Sequence, residues 1–176
     1  VAVTYTLNTN FGTGIVAAGT GILLNNEMDD FSAKPGVANA YGLVGGEANA
    51  VAAGKRPLSS MTPTLLLKDG QPVLVTGSPG GARIITTVLQ TVMNLVDYDM
   101  NPAESAAALR VHHQWTPDEL RVEQGLNLDT TRLLEERGHK VSVKASMGRT
   151  QTVQREGDKL WGYSDPRNPD GSTLGY

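Results

Sequence analysis

Three carboxylates stand close together in the stretch NNEMDDF, where Glu27, Asp29 and Asp30 follow one another closely. Such a cluster suits a calcium ion or the ammonium group of a substrate. The calcium-loop pattern, with a central glycine and a distal glutamate, is absent. A solvated turn is the alternative that needs no ligand. The hydroxyl pair Ser59 and Ser60 in PLSSM precedes a predicted strand, where a cap or turn is the simplest interpretation.

A turn of glycines and a proline, GSPGGA, opens a long apolar-periodic stretch. Its Gly77, Gly80 and Gly81 lack the spacing of a dinucleotide-binding turn, and the lysine with serine or threonine of a phosphate-binding loop does not follow. Two interpretations remain open. The turn either lets the next helix pack closely, or it presents the backbone N–H groups of Gly80 and Gly81 to a developing oxyanion.

His112 and His113 are adjacent, and therefore face different ways on any regular element. Neither has a second metal ligand at useful spacing, so no metal site is predicted. A Ser-His-Asp triad could be written from the available residues, but the G-x-S-x-G motif is absent. No cofactor is expected.

The elements that must position these residues follow from hydrophobic periodicity and turn signals. An apolar stripe predicts a helix over 82–98, and Asp69-Gly70 between two apolar arms predicts a β-hairpin over 65–76. Strands are also predicted over 1–8, in the two halves of 15–26 and over 140–144, helices from Pro102 and over 128–137, and a second hairpin over 152–165. This order indicates an α+β domain rather than regular βαβ winding.

Between Pro35 and Gly54 the chain is glycine-rich and has one aromatic residue, Tyr41. A connection of this length is typical of a functional lid or of a disordered segment.

Length and composition fit one globular domain over residues 1–176. The chain is 39% apolar and 19% charged, has no cysteine and carries a formal net charge of −3. The charge and the lack of a basic run argue against nucleic-acid binding, and no apolar stretch is long enough to span a membrane. Without cysteine, neither a disulfide nor a cysteine nucleophile can form within the chain.

The first eight residues, VAVTYTLN, alternate as in a strand, with Val1, Val3, Tyr5 and Leu7 on one face. A natural chain rarely begins inside a strand. We therefore expect the chain to be a processed fragment or an incomplete sequence.

Several stretches, taken together and in order, resemble the small, catalytic subunit of γ-glutamyltransferase (γ-glutamyltranspeptidase). They are TYTLNTNFGTG, GILLNNEMDDFSAKPG, KRPLSSMTPT, VTGSPGGARIITTVLQ, RVHHQW, DELRVE and the closing SDPR…GY. The resemblance covers nearly the whole chain. It implies an N-terminal-nucleophile hydrolase, an αββα sandwich formed with a large subunit. The precursor of such an enzyme cleaves itself and exposes a threonine that is both nucleophile and base.

The activity implied by this resemblance is transfer of the γ-glutamyl group of glutathione and related compounds to water or to acceptor amino acids. The family's nucleophile lies shortly upstream of VAVTYTLN and is expected outside this chain, and Thr4, Thr6 and Thr9 do not replace it. An arginine of the large subunit pairs with the substrate carboxylate. The fragment alone is therefore expected to be inert. Bacterial relatives are usually periplasmic or secreted, and we expect the same location here.

The family's other roles map onto positions of this chain that match its motifs. Thr6 matches the threonine that supports the nucleophile, and Asn8, Glu27 and Asp30 match residues that hold the α-ammonium group of the glutamyl moiety. Some members have glutamine in place of Glu27. The remaining matches are Ser59 and Ser60 for the α-carboxylate, Gly80 and Gly81 for the oxyanion hole, and Tyr41 on a lid loop over 35–46.

Two rival functions remain. A glutaryl β-lactam (cephalosporin) acylase of the same fold would bind a glutaryl group that has no α-ammonium, so Glu27 and Asp30 favour a γ-glutamyl substrate. The second rival is a non-catalytic binding domain, which only the missing nucleophile supports.

Overall fold

The structure, a computed structural model, describes residues 1–175. The chain forms two compact units. Residues 5–59 are the loop unit, and residues 1–4 together with the chain from Ser60 onward are the layered unit. Tyr176, the last residue of the closing motif, lies outside the described residues.

The layered unit contains the α-helices and the paired strands of the described chain. In chain order these are β1 (Thr64–Lys68), β2 (Gln71–Gly77), α1 (Arg83–Val96), α2 (Pro102–Ala107), β3 (Val111–His112), β4 (Leu120–Glu123), α3 (Leu128–Glu136), β5 (Val141–Lys144), β6 (Gln151–Glu156) and β7 (Lys159–Ser164). The loop unit has two short 3-10 helices, Glu27–Asp30 and Glu47–Asn49.

A four-stranded antiparallel sheet in the order β1-β2-β6-β7 carries the glycine turn at the end of β2. The first hairpin is confirmed. Its turn residues Asp69 and Gly70 have φ of 52° and 76°, the two positive values that a two-residue type I′ turn requires. Thr76 of β2 pairs with Thr152 of β6, and their hydroxyl oxygens lie 2.9 Å apart. This hydrogen bond joins the two central strands at one position of their register.

The second sheet has the order β3-β4-β5, with β3 antiparallel and β5 parallel to β4. Helix α3 connects the parallel pair, so this part of the α+β fold contains one βαβ unit. The side chain of Asn127 caps α3 by accepting the N–H of Asp129 at 2.8 Å. The helix ends before Gly138, whose φ of 92° is a conformation that glycine adopts readily.

Helix α1 packs against β2, α2 and β3. Ile84, Val88 and Leu95 are buried as the apolar stripe predicts. The rest of the buried face is polar, because Thr87 and Thr91 are both 1% exposed. Thr91 satisfies its hydroxyl by donating to the carbonyl oxygen of Thr87 at 2.8 Å, as buried polar groups must.

The predicted stripe of α1 is wider than the face that the structure buries. Ile85, Leu89 and Val96 are 54–56% exposed. Helix α1 therefore presents a second apolar face that is more than half exposed.

Helix α2 begins at the predicted proline, Pro102, and has a complete capping box. The side chain of Asn101 accepts the N–H groups of Ala103 and Glu104, and the carboxylate of Glu104 accepts the N–H of Asn101 at 2.9 Å. These bonds satisfy the otherwise unpaired N–H groups of the first turn.

The prediction of a strand over 1–8 is wrong. Val1, Val3 and Tyr5 alternate as expected, but all three are exposed, and within residues 1–175 no strand pairs with this segment. A strand needs a hydrogen-bonded neighbour, and alternation alone does not supply one. The two strands predicted in 15–26 reduce for the same reason to a single antiparallel bridge between Val16 and Leu23.

Candidate functional site

The predicted site residues fall into two groups. Thr6, Asn8, Glu27, Asp30, Tyr41 and Ser59 belong to the loop unit, whereas Ser60, Gly80 and Gly81 belong to the layered unit. Each group has its own internal geometry.

Asn8 is held in one orientation inside the loop unit. Its backbone has a φ of 75°, a left-handed conformation that asparagine tolerates better than most residues. Its Nδ2 donates to the carbonyl oxygen of Asn26 at 3.1 Å, and its Oδ1 accepts the hydroxyl of Tyr41 at 3.2 Å. The structure thus brings Asn8 and Tyr41 together and assigns the direction of the amide.

Thr6 lies beside Asn8 and supports its backbone. The Oγ1 of Thr6 accepts the N–H of Asn8 at 2.8 Å. Among residues 1–175 the Thr6 hydroxyl donates no hydrogen bond, so its proton remains available for a further acceptor.

Glu27 and Asp30 form the two ends of a 3-10 helix, and their carboxyl groups interact. Burial raises the pKa of Glu27 above its ordinary value, and the charge of Asp30 and a hydrogen bond with it raise this pKa further. Burial also raises the pKa of Asp30 and the charge of Asp29 adds to this, although the hydrogen bond with Glu27 acts in the opposite direction. A positive charge placed nearby would favour the ionised form of both groups.

The third carboxylate of the cluster is already engaged. The side chain of Asn26 donates to Asp29 at 2.8 Å. In contrast, the Oε1 atom of Glu27 is buried and has no hydrogen-bond partner among the described residues. The structure thus separates Asp29, which closes the turn, from the Glu27–Asp30 pair.

The loop over 35–46 is closed on itself. The N–H of Gly36 donates to the carbonyl oxygen of Gly45 at 2.8 Å, and Ala38 pairs with Val44 in an antiparallel bridge. At the tip, the Oδ1 of Asn39 accepts the N–H of Tyr41 at 2.9 Å. Tyr41 therefore projects from a hairpin-like loop whose backbone is hydrogen-bonded, not from an irregular connection.

In the layered unit, the glycine turn adopts backbone conformations that glycine favours. Gly80 has a φ of 145° and Gly81 a φ of 58°. Their carbonyl oxygens accept the N–H groups of Arg83 and Ile84 at the start of α1. Within residues 1–175 neither glycine donates its own N–H to an acceptor. Two unpaired donors at a helix N-terminus are what an oxyanion requires.

Two serines hold this turn. Ser60 donates its hydroxyl to the carbonyl oxygen of Gly81 at 3.0 Å. Ser78 is buried, donates to the carbonyl oxygen of Pro79 at 2.8 Å and accepts the N–H of Arg149 at 2.9 Å. Gly148 leaves the room for this contact, because a Cβ there would lie 2.7 Å from the Oγ of Ser78.

A buried ionic network in the layered unit was not predicted from the sequence. It consists of Arg110, Glu123, Asp165 and Arg167. Arg110 donates to Asp165 at 2.6 Å and to the carbonyl oxygen of Met147 at 2.7 Å. Arg167 donates to both carboxylates. The two positive and two negative charges balance, as buried charges must.

Burial alone would raise the pKa of Asp165. Hydrogen bonds from the backbone N–H groups of Arg167 and Thr150 and from Arg110 outweigh burial, so that this pKa lies below its ordinary value. The one sequence signal for the network is that its four members lie in RVHHQW, DELRVE and SDPR, stretches that resemble the γ-glutamyltransferase family.

His112 is a structural residue of β3. It is buried, its Nδ1 lies 2.8 Å from the hydroxyl oxygen of Thr86, and its Nε2 lies 2.9 Å from Oε1 of Gln114. Burial lowers its pKa, and the nearby positive charges of Arg83 and Arg121 act in the same direction. Over residues 1–175, no group of three or more histidine, aspartate and glutamate side chains could hold a metal ion.

Known proteins resemble the chain over its full length. A family model described as gamma-glutamyltranspeptidase matches residues 1–175. The glutathione hydrolase proenzyme of Escherichia coli (strain K12) is 66% identical over 177 residues, which cover 100% of this chain and 30% of that protein. The chain thus spans about a third of the length of the curated relatives it matches.

Within the described residues, no helix is both long and apolar enough to cross a membrane.

Solved structures of gamma-glutamyltranspeptidases also resemble the chain. A crystal structure of a mutant Helicobacter pylori gamma-glutamyltranspeptidase has a TM-score of 0.92 and 51% identity, and the match covers 96% of this chain and 93% of that chain. The cephalosporin acylase of Bacillus halodurans is more distant, with a TM-score of 0.75 and 30% identity over 89% of this chain and 28% of its own. The α+β fold is therefore that of the N-terminal-nucleophile hydrolases, and the chain belongs to the gamma-glutamyltranspeptidase family.

Proposed function

We propose that the chain is the small-subunit part of a γ-glutamyltransferase. The complete enzyme transfers the γ-glutamyl group of glutathione and other γ-glutamyl compounds to water or to acceptor amino acids and peptides. The observation that carries the proposal is the acidic pair of Glu27 and Asp30, which stand at the two ends of one 3-10 helix, with the Oε1 atom of Glu27 buried and without a hydrogen-bond partner among the described residues. An α-ammonium group is the cation that distinguishes a γ-glutamyl donor from a glutaryl donor.

Each part of the amino-acid clamp has a chemical task in this proposal. Glu27 and Asp30 hold the α-ammonium together with Asn8, whose amide is oriented by the hydroxyl of Tyr41 at 3.2 Å. Ser59 and Ser60 supply hydroxyl donors to the α-carboxylate, assisted by an arginine of the large subunit. Tyr41 lies on the lid that closes over the donor.

The chemical step is acyl transfer through an ester. The nucleophile is a threonine that becomes the N-terminus of the small subunit when the precursor cleaves itself, and it precedes residue 1. Thr6 has an unused hydroxyl proton that can support this nucleophile. The N–H groups of Gly80 and Gly81 stabilise the oxyanion of each tetrahedral intermediate. The γ-amide bond of the donor breaks as the ester forms, and the donor's amine leaves with a proton. Water or an amino acid then attacks the ester, takes the γ-glutamyl group and regenerates the threonine hydroxyl.

The large subunit of the same precursor is the proposed partner. The apolar face of α1, made of Ile85, Leu89 and Val96, is more than half exposed in this chain, which is typical of a surface that a further layer covers. We place the enzyme in the periplasm or outside the cell, as for its bacterial relatives.

The test uses the complete reading frame that encodes the chain, expressed so that the precursor matures. Release of nitroaniline from γ-glutamyl-p-nitroanilide is compared with release from glutaryl-p-nitroanilide, in the wild type and in Asp30→Ala. We expect a strong preference for the γ-glutamyl compound in the wild type. Asp30→Ala should raise KM for that compound steeply and leave KM for the glutaryl compound nearly unchanged.

A preference of the wild type for glutaryl-p-nitroanilide would instead identify an acylase. No turnover of either compound by a correctly processed protein would favour a binding domain. The charge of Glu27 and Asp30 argues against the acylase, because a glutaryl group offers them no positive partner.

A further inference from the structure

The two halves of the proposed clamp are joined by one side chain that has no assigned role, that of Asn49. Its Nδ2 donates to the carbonyl oxygen of Asp30 at 2.7 Å. Its Oδ1 accepts the N–H of Leu58 at 2.9 Å. Asp30 belongs to the ammonium half, and Leu58 directly precedes Ser59 of the carboxylate half.

Asn49 is itself fixed in position. It is the last residue of the 3-10 helix Glu47–Asn49, its N–H donates to the carbonyl oxygen of Gly46 at 3.0 Å, and its carbonyl oxygen accepts the N–H of Ser32 at 2.9 Å. The backbone N–H, the backbone carbonyl oxygen and both polar atoms of the side-chain amide of Asn49 therefore all form hydrogen bonds. A side chain bound in this way has one orientation and transmits the position of one partner to the other.

The chemistry of the donor explains why such a bridge matters. The α-ammonium and the α-carboxylate of a glutamyl group are attached to the same carbon, so their separation is fixed. A clamp that binds both groups needs its carboxylates and hydroxyls at a matching fixed separation, since small errors in position cost binding. We propose that Asn49 is the positioning residue that sets this separation. The inference rests on the proposed γ-glutamyl function.

The test measures kcat and KM of the matured complete enzyme for γ-glutamyl-p-nitroanilide and glutaryl-p-nitroanilide. Asn49→Ala removes both arms of the bridge and should raise KM for the γ-glutamyl compound at least about tenfold with kcat within about threefold of the wild type. Asn49→Asp keeps the acceptor for Leu58 but loses the donor to Asp30. It should therefore raise KM for the γ-glutamyl compound while KM for the glutaryl compound, which has no ammonium group, changes little.

Lys55→Met is the matched control for general damage to the same short helix. The Nζ of Lys55 donates to the carbonyl oxygens of Ala48 and Ala50 at 2.6 and 2.9 Å, and it has no hydrogen bond to Asp30 or Leu58. We expect KM of Lys55→Met to stay near the wild-type value. An equal rise of KM in Lys55→Met and Asn49→Asp would mean that helix integrity, not the bridge, is what matters, and would overturn the inference.

A double-mutant comparison isolates the coupling. Asn49→Asp should add little to the KM of Asp30→Ala, because the ammonium half is already lost in that background. Wild-type turnover of the γ-glutamyl compound together with a wild-type KM in Asn49→Asp would overturn the Asn49 inference alone. Failure of the wild type to use the γ-glutamyl compound would overturn the proposed function and this inference together.

Discussion

The hydroxyl of Ser60 donates its hydrogen bond to the carbonyl oxygen of Gly81 at 3.0 Å. A serine hydroxyl has one proton, so in this structure Ser60 holds the glycine turn and does not point that proton at a ligand. Binding an α-carboxylate would require the hydroxyl to rotate away from Gly81. Ser60 is therefore expected to act on both the turn and the substrate.

Ser60→Ala should lower kcat and raise KM, and its effect on kcat should exceed that of Ser59→Ala, because Ser60 donates to the carbonyl oxygen of Gly81 in the turn. Loss of one neutral hydrogen bond of about 1 kcal/mol corresponds to about fivefold in kcat. Steady-state kinetics of the two variants with γ-glutamyl-p-nitroanilide compare the two positions directly. Equal effects on kcat would contradict a special role of Ser60 in holding the turn.

Gly81→Ala should lower kcat on the order of tenfold to a hundredfold. Alanine is strained in the left-handed conformation of residue 81, so the turn must distort, and the N–H of residue 81 then leaves the position that an oxyanion needs. Gly157→Ala is the control. Gly157 lies in the turn between β6 and β7 with a φ of 59°, close to the 58° of Gly81. Both variants should lose similar thermal stability, and only Gly81→Ala should lose kcat. A similar fall in kcat for both would remove the oxyanion assignment.

The acidic pair predicts a pH dependence of donor binding. Because the pKa values of Glu27 and Asp30 are raised, these groups take up protons at a higher pH than ordinary carboxyls. KM for γ-glutamyl-p-nitroanilide should therefore rise as pH falls, starting above the usual carboxyl range. Glu27→Gln removes one titrating group, so its log KM should rise less steeply with falling pH. An unchanged profile in Glu27→Gln would show that Glu27 does not titrate with substrate binding.

Asp165→Asn should destabilise the protein strongly at neutral pH. Removing one member of a buried, hydrogen-bonded ion pair costs about 3 kcal/mol or more. The pKa of Asp165 is lowered in the folded state, so its contribution to stability is present above the unfolded pKa and is lost as pH falls through the folded pKa. The gap in unfolding midpoint between wild type and Asp165→Asn should therefore narrow below about pH 4.

The control for this variant is Asp118→Asn. Asp118 pairs with His113 at 3.0 Å, but its side chain is 94% exposed. An exposed ion pair contributes at most about 1 kcal/mol to stability, so the unfolding midpoint of Asp118→Asn should stay close to that of the wild type. If thermal unfolding of the two variants were alike, the buried network would not be the stabilising feature described above.

The sequence predicted those elements that depend on local signals. The Asp69-Gly70 turn, the apolar period of α1 and the proline of α2 each specify structure within a few residues. The segment 1–8 was predicted wrongly because a strand depends on a neighbour, and alternation does not contain that neighbour. The exposed face of α1 has the same origin, since period 3.6 gives the apolar positions but not which of them is covered.

The candidate site divides in the same way. Residue types and family motifs predicted the acidic pair and the glycine turn, whose roles remain predictions. The amide of Asn49 could not be predicted, because its partners lie 19 and 9 residues away in opposite directions. The ionic network was missed because Arg110 and Asp165 are 55 residues apart, and Glu123 and Arg167 are 44 apart.

The same separation has a consequence for the growing chain on the ribosome. Arg110 and Glu123 are synthesised well before Asp165 and Arg167, which are their respective ion-pair partners in the folded network. Burying Arg110 and Glu123 before those partners are present would leave each side chain without its ion pair in the interior. The layered unit is therefore expected to stay incompletely folded through most of its translation. Its folding should be completed only when β7 and the residues after it, which include Asp165 and Arg167, have been synthesised.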